Sequence, residues 1–365
     1  MRHLVFAVFA ALCLVLPSAA SEASGSTSTA SHQEITVMTR NLYFGADLTP
    51  VLAAQSQSQL LAAVATAYGQ AQATDFAGRA DSWAAEIAAA RPDLVGLQEA
   101  VQWRTQFPAD FAPIPDATTD AGDFVQLLLA ALAKRGMQYQ VASEATGYDV
   151  EAPGLFPAGL MDVRLTQHDV ILARKGVGLT LGNAQSGNYV AAETVPLLGM
   201  PLPLPWSWAS VDVTKGQTTF RFATTHLAPD DGAVQEAQAH EFINGPGATS
   251  LPLIWVGDFN SDASAPTITG IPPDTATYSD LRAAGFTDAW AATRLIPGYT
   301  CCNAPDLLNP QPTLDQRIDY VFSRGAVRPL LAERVGILPA GKTASGLWPS
   351  DHAGVVAELD VGQGG

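Results

Sequence analysis

The sequence predicts a mixed α/β protein folded as one domain. Short apolar strands alternate with alanine- and leucine-rich stretches along most of the chain. Polar residues recur at the ends of those strands, from Asn41 to His352. Side chains spread over that span can meet in one place only if nearly the whole chain folds together.

The first residues read as a leader. Residues 4–16, LVFAVFAALCLVL, follow Arg2 and run into Pro17-Ser18-Ala19-Ala20. A short apolar run closed by small residues is the pattern of a secretory signal peptide, with cleavage expected after about Ala20. The run is shorter than the roughly 20 residues that a membrane span requires. Leu12 before Cys13 does not suit a lipoprotein cleavage site. Residues 1–20 are therefore expected to be removed on secretion. The small polar residues of 21–34 read as a flexible lead-in, and 35–362 as the folded domain.

Within that domain, strands are expected at 35–39 (ITVMT), 94–98 (LVGLQ), 169–173 (DVILA), 219–225 (TFRFATT), 253–257 (LIWVG) and 318–322 (IDYVF). Helices are expected at 51–67, 79–90, 123–135 and 233–243, where apolar residues repeat near a helical period. Two segments rich in proline, threonine and small polar residues, 105–122 and 261–278, read as long loops. No internal repeat is present.

A third unusual segment, PLLGMPLPLPWSWASV at 196–211, is apolar at most positions but too rich in proline for a helix. Trp206 and Trp208 would share one face of a strand. They fit an edge segment packed into the core, or an apolar lip that touches a membrane surface or an aromatic substrate.

Charge narrows the function. The 365 residues carry a net charge of −16, and loss of the leader removes Arg2 but no acid, taking it to −17. No basic tract is present to neutralise a nucleic-acid backbone. A bound cation would supply positive charge locally. Past the leader the only cysteines are Cys301 and Cys302, adjacent in sequence. In an oxidising compartment they are expected to form a vicinal disulfide that stiffens a loop; a redox-active pair would have the usual two-residue spacer.

The chemistry is concentrated where apolar strands end. In LIWVGDFNSD (253–262) Gly257 reads as the end of the strand, and Asp258 and Asn260 project the same way while Phe259 turns inward. The same pattern delivers Asn41 after ITVMTR, Glu99 after LVGLQ and His226 after FRFATT. Asp319 lies within RIDYVF, and Asp351-His352 precedes AGVVAEL. Strand ends hold polar groups more rigidly than loops do. Asparagine and glutamate oxygens suit a hard cation such as Mg²⁺. Zinc is disfavoured, because HEFIN at 240–244 lacks the second histidine of the zinc-protease pattern. No GxSxG elbow occurs.

TRNLYFG, LVGLQE, TTHL, VGDFNSD, RIDYVF and SDHAGV resemble, in order, the motifs of the endonuclease/exonuclease/phosphatase superfamily, here of a secreted bacterial type. That superfamily includes deoxyribonuclease-I-like enzymes, apurinic endonucleases, inositol-polyphosphate phosphatases and neutral sphingomyelinases. The resemblance implies a four-layered α/β sandwich, two facing mixed β-sheets with helices outside. It also implies a phosphoester hydrolase that uses Mg²⁺ or Mn²⁺. Carried over residue by residue, it makes Glu99 and Asn41 metal-site residues, with Asp351 near the metal. Asp258 matches the acid that orients or deprotonates the attacking water, and Asn260 the amide that steadies the site and the phosphate. His226 matches a phosphate-binding histidine, and His352 the catalytic histidine with Asp319 as its partner.

The chain also departs from the pattern. Tyr43 stands two residues after Asn41, where several nuclease branches carry an acid. In DVRLTQHDVILAR, Arg164 is the expected phosphate contact, a structural salt bridge being the alternative. YTCCNAPDLLNP (299–310) lies outside the general pattern. The expected substrate is a phosphoester of nucleic-acid, lipid-head-group or small-molecule type, acted on by a monomer. The alternatives are a lipid phosphodiesterase of sphingomyelinase type, and a non-catalytic binding or toxin-like module on the same fold.

Overall fold

A computed structural model describes residues 32–112, 114–263 and 275–363, all in one compact unit of the chain. The expected leader 1–20, residues 21–31 of the lead-in and residues 264–274 of the second loop lie outside the described residues.

The first strand, β1 (Gln33–Asn41), is followed by α1 (Thr49–Leu52), α2 (Gln57–Ala73) and α3 (Phe76–Ala90). The single helix expected over 51–67 is thus two, because Ser56 interrupts it and caps α2 by accepting from the Gln59 N–H. In α3, Asp75 caps the first turn and Phe76, Ala80, Trp83, Ala84 and Ile87 form one buried stripe. Next come β2 (Leu94–Gln98), β3 (Gln102–Gln106), β4 (Thr119–Asp123) and α4 (Phe124–Lys134). The expected loop 105–122 therefore contains the end of β3 and most of β4.

A long hairpin follows, β5 (Tyr139–Phe156) and β6 (Gly159–Arg174), then β7 (Leu179–Asn188), β8 (Glu193–Leu197), β9 (Met200–Leu204), β10 (Ser207–Lys215) and β11 (Thr218–His226). The chain finishes with α5 (Gly232–Asn244), β12 (Leu253–Asp258), α6 (Thr277–Ala283), β13 (Thr287–Asp288), α7 (Ala289–Thr293), β14 (Asp319–Arg324), β15 (Val327–Val335) and β16 (Gly354–Val361).

The strands form two large mixed sheets. One has the order β15-β16-β1-β2-β6-β3-β4 with β5 along β6, and the other the order β13-β14-β12-β11-β10-β7. Among the described residues only β1–β2 and β11–β12 pair in parallel, at the middle of their sheets. Each parallel pair brings two strand C-termini side by side. Asn41 is level with Gln98, and His226 is level with Asp258, which itself faces Asp319 across β14.

Alternation along these strands splits the core in two. Val37, Leu94 and Ile171 meet Phe222, Ile254 and Val256 between the sheets. Met38, Val95 and Leu97 belong instead to the cluster of Trp83, Phe124 and Leu128 under α3 and α4. On the far side, Phe242 of α5 stacks on Trp255 of β12 at 3.8 Å. Burial of each such side chain stabilises the fold by about 1.5–3 kcal/mol. Gly96 of β2 is required by the sheet spacing, since a Cβ there would lie 2.5 Å from Val256 and 2.6 Å from Thr224. This four-layered α/β sandwich matches the expected fold class.

Candidate active site

Gly257 does not end its strand, as the sequence reading had it; β12 continues through it to Asp258. Its φ is +152°, and a Cβ would fall 2.1 Å from the Thr225 carbonyl oxygen. Only glycine lets β11 and β12 run this close where His226 and Asp258 emerge. Asp319 opens β14 rather than lying inside it. Tyr43, Glu99 and Asn260 take positive φ values of 59°, 50° and 49°. Backbone strain of this kind tends to collect at functional sites.

Asn41 joins the two sheets. Its Nδ2 donates to Glu99 Oε1 and to Asp258 Oδ2, both at 3.0 Å, while its Oδ1 accepts from the Tyr43 N–H. Expected as a metal-site residue, it bridges the two acids there. Glu99 Oε2 accepts from the Phe44 N–H at 2.9 Å. Burial, followed by the Asp351 charge, raises the Glu99 pKa to about 7.

Asp258 Oδ1 accepts from the Asn260 N–H, and the Asn260 amide is anchored on the Leu227 carbonyl. Burial and then Asp319 raise the Asp258 pKa well above the usual carboxylate range. His226 Nε2 lies 3.6 Å from Asp258 Oδ2, and its Nδ1 has no hydrogen-bond partner. Burial, reinforced by the nearby His352, lowers the His226 pKa to about 3, so this ring is neutral.

His352 Nδ1 is 2.8 Å from Asp319 Oδ2, and its Nε2 is 4.0 Å from Asp351 Oδ1. Burial alone would lower its pKa, but Asp319, Asp351 and Asp258 together raise it well above 6.5. His352 is thus a cation held by carboxylates. Asp351 has a raised pKa, chiefly through burial, and accepts from the Ser350 hydroxyl at 3.2 Å.

The donor chemistry fits a hard divalent cation. Among the described residues no lysine or arginine forms an ion pair with Glu99, Asp258 or Asp351. Asp319 Oδ1 is buried without a hydrogen-bond partner. Raised carboxylate pKa values mark an excess of negative charge that a cation would offset. Among the described residues two tight groups of candidate donor atoms occur, Asp258–Asp319–His352 and Cys301–Cys302–His352. In the first, a hydrogen bond already engages His352 Nδ1 and Asp319 Oδ2. In the second, the two cysteines are joined to each other as a disulfide.

Several contributors were not visible in the sequence. Arg79 of α3 is fully buried and donates to the carbonyls of Leu42, Tyr43 and Pro349, fixing the exits of β1 and of the Ser350–His352 segment. Arg40 pairs with Glu86 and donates to the His352 carbonyl. Thr300 Oγ1 accepts from the N–H groups of Ile318 and Asp319. Gln98 Nε2 donates to Thr224 across the sheets at 2.8 Å. These contacts join residues far apart in sequence, often through backbone carbonyls, and so have no local signature.

Arg164 is not brought to the centre. It forks onto Asp149 through Nε at 2.8 Å and Nη2 at 2.6 Å, and its Nη1 donates to the Ala117 carbonyl. The expected phosphate contact is a structural ion pair. Trp206 and Trp208 also face the interior: Trp206 packs on His226 at 4.6 Å, and Trp208 meets Phe242 edge-on at 6.4 Å.

A cavity of about 650 Å³ opens beside these groups, lined by Glu99, His226, Asp258, Asp351, His352 and a larger apolar wall. Cys301 and Cys302 also line it.

No curated protein matches this chain. Among solved structures, an endonuclease/exonuclease/phosphatase family protein from Bacteroides thetaiotaomicron superposes with a TM-score of 0.55 at 17% identity, covering 91% of this chain and 99% of that one. One from Beutenbergia cavernae gives 0.54 at 21% identity, covering 91% and 72%. A Bacteroides thetaiotaomicron mannosyl-6-phosphatase gives 0.52 at 16%, covering 89% and 99%. At these identities the likeness speaks to the fold. The sequence pattern of the Endonuclease/Exonuclease/phosphatase family matches residues 41–352, and its limits are Asn41 and His352, two of the residues gathered at the cavity. On that match, the chain belongs to the endonuclease/exonuclease/phosphatase family.

Proposed function

We propose that this protein is a secreted Mg²⁺-dependent phosphoester hydrolase, with Mn²⁺ as an alternative ion. The observation that carries the reading is the meeting of Asp258, Glu99 and the His352–Asp319 pair around Asn41. Glu99 would hold the ion, with Asp351 beside it. When bound, the cation supplies Lewis-acid polarisation and charge neutralisation for an anionic phosphoester.

The remaining work falls to this chain's own side chains. Asp258, whose burial makes it an unusually strong carboxylate base, takes the proton of the attacking water. The Asn260 N–H and the Asn41 amide hold both its oxygens in place. His352 directs its Nε2–H at the oxyanion that develops on phosphorus, with Asp319 fixing the ring and its charge. His226, kept neutral by burial, is a second donor for a phosphate oxygen without adding charge.

The test is hydrolysis of plasmid DNA, RNA, sphingomyelin liposomes, inositol phosphates and bis-p-nitrophenyl phosphate by the mature protein, with and without Mg²⁺. Cleavage of one class that needs the metal and disappears in His352→Ala supports the reading. Cleavage that survives chelation or the His352→Ala change would sink it.

A further inference from the structure

The wall of the cavity away from the catalytic groups is mainly apolar. Val64 and Ala67 of α2, Val150 and Ala152 of β5, and Val163 and Leu165 of β6 line it. The hairpin β8–β9 adds Leu197, Leu202 and Leu204. Among the described residues this hairpin pairs only with itself, with Val195 opposite Leu202 and Glu193 opposite Leu204. Its alternation therefore turns the leucines to one face, while Thr194, Pro196, Pro201 and Pro203 are exposed on the other.

The hairpin is tied to the catalytic centre. Trp206 Nε1 donates to Glu193 Oε2 at 3.0 Å, and the same indole packs on His226. Upstream of β8, the N–H groups of Val190 and Ala191 donate to Glu241, and Gln238 donates to the Ala191 carbonyl.

The charges around the cavity limit what can enter. No lysine or arginine is among its lining residues, whereas Asp47, Asp149, Glu151 and Asp230 are. A second phosphate, or a run of nucleotides, would find no cation along this wall. A volume of about 650 Å³ suits one small-molecule group buried largely by apolar contact.

Resting on the hydrolase reading above, we infer that the substrate is an ester carrying a single phosphate and one long apolar group, which enters this chamber as a monomer beneath β8–β9. The apolar group lies against Val163, Leu165 and Leu202, and the phosphate stays with His226 and His352. Specificity comes from removing the chain from water.

The experiment compares ethyl and dodecyl p-nitrophenyl phosphate, both below the micelle threshold, on wild type and Leu202→Asp. The wild-type kcat/KM is expected to favour the dodecyl ester by about tenfold or more, mainly through KM, since buried methylenes each add to binding. Leu202→Asp should bring that ratio towards one. Equal rates on the two esters would overturn the chamber while leaving the hydrolase reading intact. A second arm measures binding of dodecyl phosphate and ethyl phosphate to His352→Ala by calorimetry, with Mg²⁺ present. One-to-one binding of the dodecyl compound, lost on adding Leu202→Asp, supports the chamber even if no ester is cleaved. Indistinguishable affinities for the two phosphates would reject it.

Discussion

Asp319 Oδ2 lies 2.8 Å from His352 Nδ1, tying a strand of one sheet to the segment that leads into a strand of the other. The carboxylate sits on β14 and the imidazole just before β16, so their contact fixes both the ring plane and its charge. Asp319→Asn should therefore lower kcat by about 10²–10⁴-fold. It should also lower the His352 pKa, moving the alkaline limb of the pH–rate profile to lower pH. A limb that stays in place would show that Asp319 does not hold His352 in its cationic form.

Metal removal should be visible in stability as well as in turnover. Without an ion, the Glu99 pKa of about 7 exceeds its ordinary 4.5, so the folded state holds the extra proton between those values. Stability then falls as pH rises through that window, and a bound cation reverses the loss. Mg²⁺ at about a hundredfold over Kd should add about 2.7 kcal/mol. The gain in melting temperature over EDTA should be larger near about pH 8 than near about pH 5. Equal gains at both values would remove Glu99 from the ion's seat.

Asp169 offers a test away from the metal. It is buried on β6, accepts from Ser207 and Gln167, and burial raises its pKa from 3.8 to about 8. The folded state is favoured while this acid keeps its proton, and stability is lost as pH climbs from the lower value through the upper. Asp169→Asn should flatten that slope, by at most about 6 kcal/mol across the window. Chemical denaturation at several pH values would reveal an unchanged slope if the assignment is wrong.

Arg79 should matter for shape more than for charge. Lysine at this position cannot reach the carbonyls of Leu42, Tyr43 and Pro349 together. Arg79→Lys is expected to cost about 2–4 kcal/mol through unsatisfied buried groups. It should also lower kcat, because both the Asn41 and His352 segments lose their anchor. Wild-type melting and turnover in this variant would contradict the role.

Much of the centre was legible because each of its residues ends or opens an apolar strand. Asn41, Glu99, His226 and Asp258 follow runs that can only be buried, so their positions at a common edge follow from the strands alone. Long half-exposed strands were not legible. β5 and β6 contain Pro153, Gly147 and many polar residues, and β7 reads LTLGNAQSGN, so neither apolar alternation nor length announces them. Arg164 looked available for phosphate because its partner, Asp149, sits on the neighbouring strand of a hairpin whose register the sequence does not reveal. Of the two readings open for Trp206 and Trp208, the core-packed edge segment agrees with their contacts to His226 and Phe242.

Asn41 reaches Asp258, Gln98 reaches Thr224, and Asp319 reaches His352, each across the gap between the two sheets. The proposed centre therefore works as an alignment gauge for the sandwich. A slip of one layer against the other would part these bonds together, long before either sheet lost its own ladder. Inactivation on warming should thus precede melting, and mutations in the packing around Gly96 should reduce turnover at temperatures where the protein is still fully folded.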